Sequence, residues 1–179
     1  VTITADTVAL DADGISVAAA VGNNAALVLG GALASGGAVS LSHGRLVTIL
    51  SAGDDSGISF TVVGTDVDGD AQTESITGAN AGTATGSAYF LTISSITAVG
   101  NPAGNASAGV NASAADAVFA GRSRLKGIYL TSTGTAGTSD FLTTSPSGTS
   151  VMKLSSVASV AALMRRPEPG IRLSLRVVA

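Results

Sequence analysis

Leu46-Val-Thr-Ile-Leu50, Ile58-Ser-Phe-Thr-Val-Val63 and Gln72-Thr-Glu-Ser-Ile-Thr77 decide the fold class. Each is short and rich in β-branched residues, and Gly, Asp and Ser clusters bound them, which is the signature of strands. Asp66-Val-Asp-Gly-Asp70 sits between the last two runs. Asp68-Gly69 is turn vocabulary and predicts a β-hairpin, with a type I′ turn supplying the φ > 0 positions. Outward from this centre the texture stays the same. Tyr89–Thr97, Leu125–Thr131, Asp140–Thr144, Val151–Leu154 and Ile171–Val178 are further strand candidates, as are Thr2–Ala5, Ala25–Leu29 and Ala38–Ser42. In the last strand of the chain Ile171, Leu173, Leu175 and Val177 share one face, and Arg172, Ser174 and Arg176 the other. The expectation is an all-β chain, an antiparallel β-sandwich or barrel-like fold of one or two small units, with at most one short helix. That helix would be Ser155–Arg166, which stops at Pro167; a loop followed by a short strand fits the same residues equally well.

Composition narrows the class further. Apolar residues make up 45% of the 179, but many are Ala, and only six are aromatic: Phe60, Tyr89, Phe90, Phe119, Tyr129 and Phe141. Small side chains bury little area each, at ~25 cal/mol per Å². A lone copy therefore has a thin core, and association is the natural remedy. There is no cysteine, which excludes disulfides and thiolate metal sites. No basic segment with an apolar core opens the chain, so a signal peptide is not expected. Gly14 to His43 carries no acidic or basic residue apart from the histidine. Asn23-Asn24, Gly30-Gly31 and Gly36-Gly37 cut that stretch into strand-sized pieces, which argues against a membrane span.

Charge is sorted along the chain. Residues 1–121 hold one base, Arg45, against ten acids, a net −9; residues 122–179 hold eight bases against two acids, a net +6. Residues 98–118 are almost wholly Ala, Gly, Asn, Ser and Val and read as a linker or long loop. The expected division is an acidic β domain over 1–120 and a basic β domain, or extension of the same sandwich, over 121–179. Arg122, Arg124 and Lys126 are spaced by two and form a stripe on one side of a strand; Arg172 and Arg176 do the same. These five are the candidate protein-interaction residues, suited to an acidic protein surface, although a solvated face would look the same. Nucleic acid is disfavoured, because aromatics hardly interleave with the cations and the chain is acidic overall.

Sites for chemistry are few. Asp66, Asp68 and Asp70 alternate around Gly69 as calcium ligands do, but Thr77 stands where an EF-hand loop needs Glu. Asp54-Asp55-Ser56-Gly57 could likewise bind a cation, yet it is also ordinary turn vocabulary. His43 is the only histidine, and no G-x-S-x-G elbow surrounds any serine. Gly104-Asn-Ala-Ser-Ala-Gly109 has phosphate-loop glycine spacing without the Lys-Ser/Thr that would follow. The expectation is a chain without catalytic residues, cofactor or metal.

The stretch Gly44–Asp70, continuing through Tyr89-Phe-Leu-Thr-Ile93 to about Val99, resembles a module of tailed-bacteriophage virion proteins. Leu125-Lys-Gly-Ile-Tyr-Leu-Thr-Ser-Thr-Gly-Thr-Ala-Gly-Thr138 is similar to a second such text. The resemblance implies a structural protein of the phage particle: a capsid decoration (cement) protein, a neck or head–tail protein, or a tail part. Decoration proteins of this kind are often trimers on the capsid lattice. The expected partners are the major capsid protein or other virion proteins and further copies of this chain, trimer favoured; the expected location is the virion, with no nucleic acid or membrane partner. A cell-surface carbohydrate-binding β module is the alternative outside the particle, disfavoured by the scarcity of aromatics for sugar stacking.

Overall fold

A computed structural model describes residues 10–117, 127–131, 137–142, 150–156, 161–165 and 176–178. The chain is all-β and antiparallel, and no helix occurs among the described residues. Twelve strands are described: β1 (Asp11–Ala20), β2 (Ala34–Ser35), β3 (Ala38–Ser51), β4 (Ser59–Thr65), β5 (Ala71–Thr77), β6 (Thr83–Val99), β7 (Asn105–Ala117), β8 (Gly127–Thr131), β9 (Gly137–Leu142), β10 (Ser150–Ser156), β11 (Ala161–Arg165) and β12 (Arg176–Val178). Two compact units divide the chain, one running to Ala114 and the other beginning at Ala115, within β7. Of the two readings of Ser155–Arg166, the strand holds: Ser155-Ser156 end β10, and Ala161–Arg165 pair with β8. Thr2–Ala5, Leu125, Lys126, Thr143, Thr144 and Ile171–Leu175 lie outside the described residues.

In the first unit the strand order is β7-β3-β6-β4-β5, with β1 on β7 and β2 on β3. The sheet is barrel-like and not closed. Its core gathers Ile15 from β1, Val39, Val47 and Ile49 from β3, Phe60 and Val62 from β4, Phe90, Ile93, Ile96 and Ala98 from β6, and Ala106, Ala108 and Val110 from β7. The β4–β5 hairpin forms as expected, in unbroken register from Ser59↔Thr77 to Thr65↔Ala71. Its turn differs from the expected type I′. Only Gly69 has positive φ, and its N–H donates to the Asp66 carbonyl, so a type I turn is followed by a left-handed glycine. Asp66 explains the choice: its Oδ1 accepts from the N–H groups of Asp68 and Asp70, at 2.8 and 3.0 Å. A short side chain that caps the turn from its first position favours this geometry.

Strand β6 changes its inward phase twice. Ala84, Ala88 and Phe90 turn toward the core, then Ile93, then Ile96 and Ala98. The first change falls where β3 slips between Ser40 and Arg45, and the second at the bulge opposite Val63 and Gly64. A further slip, between Leu46 and Thr48, sets Gly86, Ser87 and Ala88 against Val47 alone. The amides that leave the ladder there are taken up by β5. Glu74 Oε1 accepts from the N–H groups of Ser87 and Ala88 at 2.6 and 3.2 Å, and from the Ser87 hydroxyl at 2.9 Å. Gln72, two residues away on the same face, donates to the Tyr89 carbonyl at 2.9 Å.

Residues 98–118 are not a linker. Ala98-Val99 finish β6, and Asn105–Ala117 are β7. Their small side chains are a packing requirement, because β1 bulges over β7 between Asp11↔Val110 and Ser16↔Ala108. A Cβ on Gly109 would stand 1.7 Å from the Asp11 carbonyl oxygen. Ala106, Ala108 and Val110 are buried beside it, and the Ser107 hydroxyl donates to the Ala12 carbonyl at 3.1 Å. A run that must lie under another backbone resembles a flexible linker in composition.

In the second unit β9 pairs with β10 and with β12, β12 pairs with the end of β7 through Val177↔Asp116, and β8 with β11 form a separate two-stranded sheet. Lys153 and Asp140 face each other across β9 and β10, 3.2 Å apart and solvent-accessible, an arrangement worth at most about 1 kcal/mol.

Gly109→Ala is expected to lower unfolding free energy by about 2 kcal/mol or more, since backbone must yield. Gly57→Ala, with nothing within 4 Å of the added carbon, is the control and should change little in chemical denaturation. Glu74→Ala leaves the Ala88 amide, part-buried, without its acceptor; a loss of about 1–3 kcal/mol is expected in the same measurement.

Candidate interaction surface

Of the five expected interaction residues, Arg122, Arg124, Lys126 and Arg172 lie outside the described residues. Arg176 opens β12, its backbone opposite Ala117 on one side and Leu142 on the other. The units keep the charge division, slightly reduced because Asp116 falls on the basic side: up to Ala114 the chain holds nine acids and one base, a net −8, and from Ala115 three acids and eight bases, a net +5. The one base of the acidic unit is turned inward. Arg45 is buried in β3, and its Nη1 donates to the Ala112 carbonyl at 2.8 Å. It therefore does little to offset the acidic surface.

Asp54, Asp55, Asp66, Asp68 and Asp70 sit in turns, and two of them cap those turns. Asp66 caps the β4–β5 turn. Asp54 Oδ1 accepts from the Ser56 hydroxyl at 2.7 Å and its N–H at 3.1 Å. The hydroxyl bond first, and then the backbone bond, hold the exposed Asp54 carboxyl below its ordinary range. Asp55 behaves differently: it is fully buried, with Oδ1 accepting from the Ala103 N–H at 2.7 Å. Among the described residues, no three of His, Cys, Asp and Glu converge as a metal site. His43 lies in the β3 segment that slips between Ser40 and Arg45. Tyr89 is pushed above its ordinary range by partial burial, against the smaller opposing effect of a hydrogen bond with Ser113.

The uncharged segment from Gly14 onward supplies exposed apolar surface. Residues 25–28 run beside β6, with Ala26 bridged to Thr97 and the Leu27 N–H on the Ile96 carbonyl. Leu27 and Leu29 point inward, so Val28 between them points out, 78% exposed. In β1, Gly31 and Leu33 donate to the Ile15 and Gly14 carbonyls and line the outer edge of its first half. Val17 to Ala20 continue beyond that cover, all exposed, Val17 at 52%. A groove of about 330 Å³ lies nearby in sequence, lined by Leu33, Ser35, Ala38, Val39, Thr92 and Ile93 among others, with no titratable group in its wall. No helix among the described residues is long and apolar enough to cross a membrane. Val17 lies on β1 and Val28 in the non-strand segment beside β6; exposed apolar residues of this kind are available for contact with another chain.

Comparison with family models, with curated proteins and with solved structures finds no match.

The sequence pattern placed the acidic turns correctly but missed the roles of Gln72, Glu74 and Asp55. Gln72 and Glu74 do alternate onto one face of β5, a visible signal of shared orientation; their partners on β6 are distant in sequence and carry no mark. Val17 and Val28 were visible only as members of an uncharged stretch.

The double variant Val17→Lys, Val28→Asp is expected to weaken self-association in sedimentation velocity while shifting unfolding free energy by no more than about 0.5 kcal/mol, as exposed substitutions do.

Proposed function

We propose that the chain is a bacteriophage virion structural protein, a capsid decoration protein that works as a homo-oligomer on the head lattice. The observation that carries the proposal is the opposite sign of the two compact units, −8 and +5, together with the exposed apolar residues Val17 and Val28 of the acidic unit. The resemblance supports it at the level of named residues: Gly44–Asp70 build the end of β3, β4 and the capped turn, and Leu125–Thr138 include β8.

The mechanism is reinforcement by accumulation. Each copy buries weakly polar strand and loop surface against its neighbours, and each contact contributes a modest amount. The basic residues Arg122, Arg124, Lys126, Arg172 and Arg176 contact acidic surface on the major capsid protein or on the next copy, where the acidic unit offers a target of the right sign. Opposite charges steer such an encounter and fix its register more than they add raw affinity. A trimer is the favoured state. The chain acts in the virion, without cofactor, membrane or nucleic acid.

Quantifying the chain in purified particles tests the proposal. A decoration protein should rival the major capsid protein in copy number; a handful of copies per particle would move it to the head–tail or tail class, and absence from particles would end the proposal. Contacts governed by ion pairs weaken as the screening length falls to ~3 Å near 1 M salt. Molar salt should therefore strip the chain from particles, and changing Arg122, Arg124 and Lys126 together to Glu should prevent it from loading.

A further inference from the structure

An open strand edge occurs in each compact unit. In the acidic unit it is the second half of β1. Among the described residues β1 pairs with β7 alone. Away from β7, the Gly31 and Leu33 amides take up the Ile15 and Gly14 carbonyls, and that cover ends there. Val17-Ala-Ala-Ala20 run on, all four exposed, within a stretch from Gly14 to Gly44 that holds no Asp, Glu, Lys or Arg. In the basic unit the open edge belongs to β8 and β11. These strands form a sheet of their own, paired from Ala161↔Thr131 to Arg165↔Gly127, with no further strand beside them among the described residues. A two-stranded sheet is marginal alone and gains stability from a third strand. An uncovered edge is a template for exactly that addition.

Charge selects which edges meet. A second β1 would bring together two units of net −8, and a second β8–β11 sheet two of net +5. β1 against that sheet joins unlike signs. β11 is the charged side of the sheet: Ala161-Ala-Leu-Met-Arg165 ends in a cation, whereas Gly127–Thr131 has none. Antiparallel pairing lays the Arg165 end of β11 at the end of Val17–Ala20 from which β1 runs back toward Asp13, which is exposed, and Asp11. Parallel pairing would carry Arg165 away from both acids. We propose that β11 of one copy adds antiparallel to the Val17–Ala20 edge of β1 in another copy, so that main-chain hydrogen bonds join the acidic unit of one molecule to the basic unit of the next. Strand addition draws its affinity from the backbone, and the three alanines of the β1 edge leave that backbone accessible. The two edges are different surfaces, so the contact is heterologous and closes into a ring where the rotation between copies allows it. The inference rests on the homo-oligomer of the proposed function and not on its place in a particle.

The chain has no cysteine, so introduced thiols report the contact without background. A disulfide forms only where Cα atoms come within about 7 Å. Ala19→Cys chains are co-expressed with chains of different length tag that carry a single cysteine at each position from Ala161 to Arg165 in turn, then purified and oxidised; Ala18→Cys replaces Ala19→Cys should the latter not fold. Disulfide dimers of mixed size should peak at one part of β11, at several-fold the yield given by Ser75→Cys, which is exposed on β5. A yield along β11 no higher than with Ser75→Cys, or Ala19→Cys coupling chiefly to itself, overturns the proposal. Sedimentation velocity of the wild-type chain separates the two readings. An oligomer without β1–β11 cross-links removes this contact and leaves the homo-oligomer standing; a chain that is monomeric at every concentration removes both.

Discussion

A strand that slips against its neighbour must release some amides from its ladder, and released amides need acceptors. In this protein the acceptor is Glu74. The slip between Leu46 and Thr48 throws Gly86–Ala88 out of register with β3, and the carboxylate of β5 reaches them from across the open seam of the sheet. Gln72 adds a donor to the Tyr89 carbonyl on the same side. The barrel-like wrap is thus joined along one line by side chains where a closed barrel would use backbone. That line is short and exchangeable, which suits a sheet whose two long strands, β3 and β6, are bent by bulges.

The same economy governs the core. Phe60 and Phe90 are the only large aromatic anchors of the first unit's interior, and much of the rest is Val, Ile and Ala. Where side chains are small, burial comes from bringing backbones together. The crossing of β1 over Gly109 is the clearest case, and it is why a run of Ala, Ser and Gly becomes a strand with several wholly buried positions. A core built in this way yields less transfer free energy per residue than one of large side chains. Exposed Val17 and Val28 represent apolar surface that the unit does not bury for itself.

The strands, the hairpin and the all-β class were legible because period-two alternation and turn residues are local signals. Phe60, Val62 and Ile76 alternate in a regular ladder, and that hairpin is where expectation and structure agree most closely. Tyr89–Thr97 shows why legibility stops: a bulge shifts the inward set by one residue, and the text Phe90, Ile93, Ile96 then matches neither a strict strand nor a helix. The linker expectation for 98–118 failed on a related ground. Local composition records that small residues are required there, without saying whether the cause is freedom or close approach; the cause is β1, about ninety residues upstream. The turn at Asp66–Asp70 was located correctly and typed wrongly, because the deciding interaction is a side-chain cap and not the φ preference of Asp-Gly. The interaction stripe was read from spacing alone, and Arg176 is the one member whose backbone position is described.

Arg45 shows how charge sorting and packing depend on each other. A lone arginine in a unit of nine acids would, on the surface, blunt the acidic field. Buried in β3 and hydrogen-bonded to the Ala112 carbonyl, it is used instead to hold β7 against the sheet. Asp54, Asp68 and Asp70 are exposed on turns of that unit, while the bases other than Arg45 are gathered after Ala114. Within one molecule or between copies, attraction between such parts is available only to partners that present the basic part, and like parts repel. In the proposed lattice role, such an arrangement favours contacts between unlike units over contacts between like ones, the kind of contact that repetition turns into an ordered array.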